Sequence, residues 1–236
     1  MGQAKPTAVA GRTRRAALTR ESILEAALHV CSPEGGAVLT FNRLGKELGA
    51  DPTAVYRHFR DKDELVLALS EVLVRESEEL AAADAPGRED WRGWLTATAR
   101  ALRTVYLRRP VLAVLAAGRT TAGPAETESV EEIIGVLHQA GLPVIEAAEC
   151  YRMAVDLTLA FIHTNASFLV LDADTQAKDD SAWAVKYGLL PADRFPLLQQ
   201  SAARLTELFR KDEEVFEMVL STFLDGVALR IERARG

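Results

Sequence analysis

The 236 residues, 48% of them hydrophobic, are ample for the core of one large domain or two unequal ones. Cys31 and Cys150 lie far apart in apolar helical surroundings, which speaks against a disulfide framework or a cysteine metal pair and suits a reducing cytosol. The net charge of −6 hides an asymmetry: residues 1–62 hold ten bases and six acids, a net of +4, and the rest hold 18 bases and 28 acids, a net of −10. Positive charge gathered at one end is what binding to phosphate requires, while an acidic body repels a duplex and orients the encounter.

Residues 1–18 read as a flexible basic arm, with five bases by Arg20 and no acid before Glu21. Thr19 is the expected N-cap of the first helix, with Ser22 at the N3 position and Ile23, Leu24, Ala27, Leu28 and Cys31 as its apolar stripe. Pro33, Gly35 and Gly36 end it. Thr40 caps a second helix through Phe41, Leu44 and Leu48, and Gly49 supplies a turn where φ > 0 is easiest. Asp51 caps a third helix with Pro52 at its first position, running to Phe59. Val55 and Phe59 face inward, and Thr53, Ala54, Tyr56, Arg57 and His58 stay on or near the open side, a short polar and basic surface of the size of a major groove. Asp61 opens a fourth helix over about 62–83, with Leu65, Leu69, Leu73 and Leu80 inward, linking the two halves of the chain.

Beyond Ala85-Pro-Gly87 the periodicity predicts helices at about 88–108, 110–118, 126–140, 144–172, 194–209 and 212–234, with no strand alternation. Residues 172–193 read as a polar connection containing Trp183 and Tyr187. The most apolar stretch, Met153 to Leu171, is interrupted by Asp156, His163 and Asn165, so no membrane span is expected; nor is a signal peptide. The helices 144–172 and 212–234 are apolar over most of their circumference, which predicts a homodimer in which this pair from each chain forms a four-helix interface. The fold class is all-α, with a three-helix helix-turn-helix head at 19–65 and a larger helical dimerisation domain at 66–236.

The motifs Ile23-Leu-Glu-Ala-Ala27, Leu39-Thr-Phe-Asn-Arg-Leu-Gly-Lys-Glu-Leu-Gly49, Val55-Tyr-Arg-His-Phe59 and Lys62-Asp-Glu-Leu65 resemble the N-terminal domain of tetracycline-repressor-type (TetR family) transcriptional regulators. Trp91, Gln139-Ala-Gly141 and the last helix with Phe216, Leu224 and Gly226 resemble the tetracycline repressor's own subgroup more faintly. The resemblance implies a ligand-responsive regulator, a repressor by preference, that binds a palindromic double-stranded DNA operator as a homodimer and is released by a small molecule. It implies phosphate contacts from Thr40, Tyr56 and Lys62, and a base-reading surface of Pro52, Thr53, Ala54, Arg57 and His58 with Asn42 and Arg43 reaching from the preceding helix. Arg57 has the donor geometry for guanine O6 and N7.

One departure from that pattern is informative. No histidine occurs between His58 and His138, and Ala116 and Ala117 fill the segment where a metal-binding histidine is expected, so a magnesium–tetracycline chelate is a poor candidate effector. An apolar or weakly polar effector fits better. Trp94, Thr98, Leu102 and Tyr106, together with Leu115, Arg119, Leu137 and His163, are the residues expected around it. No catalytic residue, metal or cofactor is expected, and the cytoplasm is the expected location. The rival reading is a helical enzyme or a small-molecule or lipid carrier without DNA binding. Against it stand the absence of a Glu-x-x-His pair, a P-loop, a nucleophile elbow and a dinucleotide fingerprint.

Overall fold

A computed structural model describes residues 18–32, 38–186 and 188–236, with the side chains of Trp183 and Ala184 also outside the description. The expected arm up to residue 17, the Pro33–Gly36 break and Tyr187 lie outside the described residues. Among the described residues the chain forms α1 (Arg20–Val30), α2 (Phe41–Glu47), α3 (Pro52–Tyr56), α4 (Lys62–Asp84), α5 (Trp91–Leu107) and α6 (Pro110–Ala116). It continues as α7 (Pro124–Gln139), α8 (Val144–Leu169), α9 (Ala173–Ser181), a π-helical turn (Ala182–Lys186), α10 (Pro196–Phe209) and α11 (Asp212–Arg235).

The helix starts follow from short side chains that satisfy orphan backbone donors. Thr19 and Ser22 form a reciprocal capping box. Thr40 accepts from the Arg43 N–H, Asp51 from the Thr53 N–H and Asp61 from the Glu64 N–H. Two expectations need correction. The third helix ends at Tyr56, with Arg57 as its C-cap and a final turn closed by the His58 and Phe59 N–H groups donating to Val55 O. The stretch 172–193 is not a plain connection: Asp172 caps α9, and the π-helical turn follows. Because α9 buries no residue, it carries no apolar stripe by which its sequence would announce a helix.

One hydrophobic cluster runs from Ile23, Leu44 and Phe59 in the head, along Leu65, Leu69 and Leu73 of α4, to Leu112 of α6 and Ile162 of α8. Head and body therefore share a core, with α4 as its spine. A second cluster gathers Leu95, Leu137, Leu142 and Cys150 against Phe216, Leu220, Leu224 and Ile231 of α11. Each of α8 and α11 buries one face in these clusters. On the other face Met153 and Leu169 of α8 and Met218 and Leu229 of α11 are exposed in the single chain. No single described helix is long and apolar enough to cross a membrane.

Gly45 sets the contact between α2 and α3. A Cβ there would lie 2.9 Å from the Ala50 carbonyl oxygen, closer than real Cβ atoms come, and 3.2 Å from the Pro52 ring. Gly45→Ala is expected to cost about 1–3 kcal/mol by overpacking and to lower Tm by about 2–10 °C in calorimetry. An unchanged Tm would show that this turn yields without cost.

Candidate nucleic-acid interface and internal cavity

The open surface of the head is built by α2, α3 and the start of α4. Thr40, Asn42, Arg43, Thr53, Tyr56, Arg57 and Lys62 are exposed on it, and Pro52, Ala54 and His58 are half-buried. Several of these side chains are held before any ligand arrives. The Thr53 hydroxyl donates to Asp51 Oδ1 at 2.6 Å, and the Thr53 N–H donates to the same oxygen at 2.8 Å. Those two bonds keep the Asp51 carboxyl below its usual range and leave the Thr53 hydroxyl with only acceptor capacity. Phe41 stacks edge-on against Tyr56 with centroids 4.5 Å apart, so a 57% exposed phenol is nonetheless oriented. The Arg57 and Lys62 side chains make no ion pair or hydrogen bond among the described residues, and their charge is available to a polyanion.

The sequence did not single out Arg20 and Glu64 as parts of this surface. Arg20 stacks over the Phe59 ring at 4.1 Å and donates from Nη1 to His58 O at 2.9 Å and to Glu64 Oε1 at 3.1 Å. Glu64 in turn accepts from the Arg60 N–H at 2.9 Å. Together they clamp the end of α3 to α1 and to the first turn of α4. The only local signal was the Asp61-x-x-Glu64 spacing of a capping box; the Arg20 contact spans 44 residues of sequence.

A cavity lies between α4, α5, α7 and α8. Its walls are Ser70, Val74, Ser77 and Glu78 of α4, Thr98, Leu102 and Tyr106 of α5, and Val130, Ile133, Tyr151, Val155 and Leu159 of α7 and α8. Its volume is about 90 Å³. A broader groove of about 720 Å³ runs along α4 and α5, but it is open to solvent and its arginines are committed. Arg92 pairs with Asp225, Arg100 with Glu217 and Arg108 with Glu76. The narrower, mainly apolar cavity, whose walls come from four helices, is the better candidate for a small-molecule site.

Of the residues expected around an effector, Thr98, Leu102, Tyr106 and Arg119 line this cavity. The other four do not. Leu137 is buried in the second core cluster and Trp94 packs against it, Leu115 packs against the first cluster, and His163 is exposed on α8. His138 has a structural partner, its Nδ1 lying 2.8 Å from Leu142 O. No group of three or more His, Cys, Asp or Glu suited to a metal occurs among the described residues.

Below the cavity the connection from α6 to α7 is tied to α4. Arg119 donates to both carboxylate oxygens of Asp63, at 2.5 and 3.0 Å, holding the Asp63 carboxyl below its usual range. Glu71 accepts from the Thr121 hydroxyl and from the Ala125 N–H at 2.8 Å, which places a carboxylate at the N-terminus of α7. Glu126 accepts from the Thr121 and Ala122 N–H groups, and Ala122 is held at φ +52°, a conformation unusual for a residue with a Cβ.

Comparison with known proteins agrees with this layout. Residues 23–69 match the family described as bacterial regulatory proteins, tetR family, and residues 83–231 match the tetracyclin repressor-like C-terminal domain. The chain is 25% identical to the HTH-type transcriptional repressor DrrR1 of Streptomyces coeruleorubidus, over 93% of this chain and 80% of that protein. It is 27% identical to the tetracycline repressor protein class A from transposon 1721 of Escherichia coli, over 90% and 92%. The Streptomyces coelicolor TetR family protein ActR in complex with actinorhodin superimposes with a TM-score of 0.75 at 26% identity, covering 91% of this chain and 98% of that one. With head and body both matched, and in that order, the chain belongs to the tetR family of transcriptional regulators.

Proposed function

We propose that the protein is a homodimeric repressor that holds a palindromic operator and leaves it when a small molecule enters the cavity between α4, α5, α7 and α8. It acts in the cytoplasm, on DNA. The observation that carries this reading is the position of Arg119, which lines the cavity and grips Asp63, the neighbour of Lys62 on the DNA-facing surface. The cavity's present volume of about 90 Å³ is well below the roughly 300 Å³ at which drug-sized sites begin. An effector therefore has to part its walls. One wall is α4, whose first turn also carries Asp61, Lys62 and Glu64 of the head. A displacement of α4 changes the distance between the two heads of a dimer, and successive major grooves tolerate only one spacing, about 34–36 Å. The effector acts by preferring the parted state, and its differential affinity sets the size of the response.

The base-facing and phosphate-facing assignments stand as part of this proposal: Thr40, Tyr56 and Lys62 to phosphate, and Thr53, Ala54, Arg57 and His58 with Asn42 and Arg43 to the groove. Selecting bound fragments from genomic DNA and screening compounds for their release tests the reading as a whole. Asp63→Asn tests the coupling, because Asp63 is outside the cavity wall and the loss of its charge weakens the grip on Arg119. With a releasing compound in hand, and its affinity for the variant measured directly, half-release is expected to need about 5- to 150-fold more compound than that affinity accounts for, the range of a 1–3 kcal/mol coupling. Unchanged release in anisotropy titrations would take the Arg119–Asp63 contact out of the pathway.

A further inference from the structure

We infer that the effector is a lipophilic cation whose charged head rests against Glu78 while its apolar body parts the four helices; this inference rests on the reading of the cavity given above. The donor and acceptor inventory of the wall points there. Ser70, Ser77 and Thr98 each donate their hydroxyl to a carbonyl one turn back, at 2.9, 2.7 and 3.0 Å. What they turn toward the cavity is lone pairs. Glu126 is occupied by the loop, and Arg119, the only cation in the wall among the described residues, is spent on Asp63.

Three polar groups remain uncommitted. Glu78 makes no ion pair or hydrogen bond among the described residues, and neither the Tyr106 nor the Tyr151 hydroxyl has a hydrogen-bond partner there. Tyr106 is only 4% exposed as a residue, yet its hydroxyl is not among the fully buried unpaired atoms, so the oxygen opens on the cavity and is free to meet a ligand.

Carboxylates outnumber cations around the cavity. Burial raises the Glu78 carboxyl above its ordinary range, Glu132, Glu128 and Glu71 raise it further, and Arg75 alone opposes them. Burial likewise raises Tyr106, with Glu126 and Glu71 adding to it. These phenols therefore stay neutral and can flank a cation with their rings.

An anion entering this space meets repulsion from Glu78 and Glu126 and finds no unpaired cation. A neutral apolar molecule covers the Glu78 carboxylate without replacing the water it loses, a desolvation cost with no return. A cation compensates that cost, and its N–H or polarised C–H groups meet the lone pairs of Ser70, Ser77 and Thr98. The lipophilic body follows from the rest of the wall, which is Val74, Leu102, Val130, Ile133, Val155 and Leu159.

The test uses two ions of one shape and opposite charge, tetraphenylphosphonium and tetraphenylborate, titrated calorimetrically in sodium buffer into the full-length protein. The phosphonium is expected to bind at least tenfold more tightly than the borate. Glu78→Gln is expected to weaken the phosphonium at least tenfold and to leave the borate unchanged or tighter. Glu79→Gln, one residue along and outside the cavity wall, removes the same net charge and is expected to change neither. Equal or tighter binding of the borate, no binding of the phosphonium, or an undiminished affinity in Glu78→Gln overturns the inference. Operator release is followed in parallel by anisotropy of a labelled fragment. Glu78-dependent phosphonium binding without release upholds the cation site and defeats the regulatory reading of the cavity; release by the borate alone does the reverse.

Discussion

Arg57→Ala is expected to lower operator affinity by a factor of about 30 to 20,000 while the protein still sediments as a dimer. The range comes from the groove chemistry: a bidentate arginine–guanine pair is worth about 1–3 kcal/mol of discrimination, and a two-fold operator is read twice, so about 2–6 kcal/mol is at stake. Arg57 is placed for this. It caps α3, it is exposed, and its guanidinium makes no close ion pair among the described residues. Arg20 and Arg60, by contrast, are already paired with Glu64 and Asp61. The loss should be concentrated at one base pair of each half-site. Lys62→Ala, which removes a phosphate contact, is expected to weaken all sequences alike and to reduce the salt dependence by about one counterion per head. Mobility-shift titrations of both variants against the operator and against a scrambled fragment separate the two roles. Uniform loss on both fragments by Arg57→Ala would move that side chain from the groove to the backbone.

The parts of this surface that could be read from the chain are the ones written locally. Thr19, Thr40, Asp51 and Asp61 each bond a backbone N–H two or three residues on, so their spacing alone identifies the helix starts. Gly49, at φ +57°, is legible for the same reason. On α5 the one-turn spacing of Thr98, Leu102 and Tyr106 placed three cavity residues on one face.

What escaped were contacts between distant segments. Arg20 with Glu64, Asp63 with Arg119 and Glu71 with Thr121 span 44, 56 and 50 residues, and nothing in a periodicity pairs them. Ser70, Ser77 and Glu78 escaped because α4 read as a linker whose leucines pointed to the core; its cavity face is a second stripe, visible only once α7 and α8 lie against it. Tyr151, Val155 and Leu159 recur about one turn apart on the helix expected at 144–172, and that stripe walls the cavity. His163 failed as a pocket residue because it sits on the exposed side of α8, four residues beyond Leu159.

The second large effect is expected on the exposed faces of α8 and α11. Met218 is 50% and Leu229 53% exposed in the single chain, and between them lie Ser221, Thr222, Asp225 and Gly226, none of them large and apolar. A Cβ on Gly226 would meet nothing within 4 Å. Small residues flanked by apolar ones are what two helices need to approach closely and pack, and the exposed Met153 and Ala160 of α8 offer a similar surface. The interface proposed from these faces is isologous, so each substitution enters it twice. Met218→Glu with Leu229→Glu buries unpaired carboxylates against an identical set, at a cost of at least about 3 kcal/mol, equivalent to a dimer dissociation constant raised more than about a hundredfold.

Both side chains lie outside the two core clusters, so each chain is expected to keep its helical content by circular dichroism while sedimentation equilibrium reports monomer at micromolar concentration. Operator binding should fall with it to that of a single half-site, since one head without its partner forfeits the second groove. A variant that remains dimeric and still shifts the operator would remove the α11 face from the assembly and require another surface to set the distance between the heads.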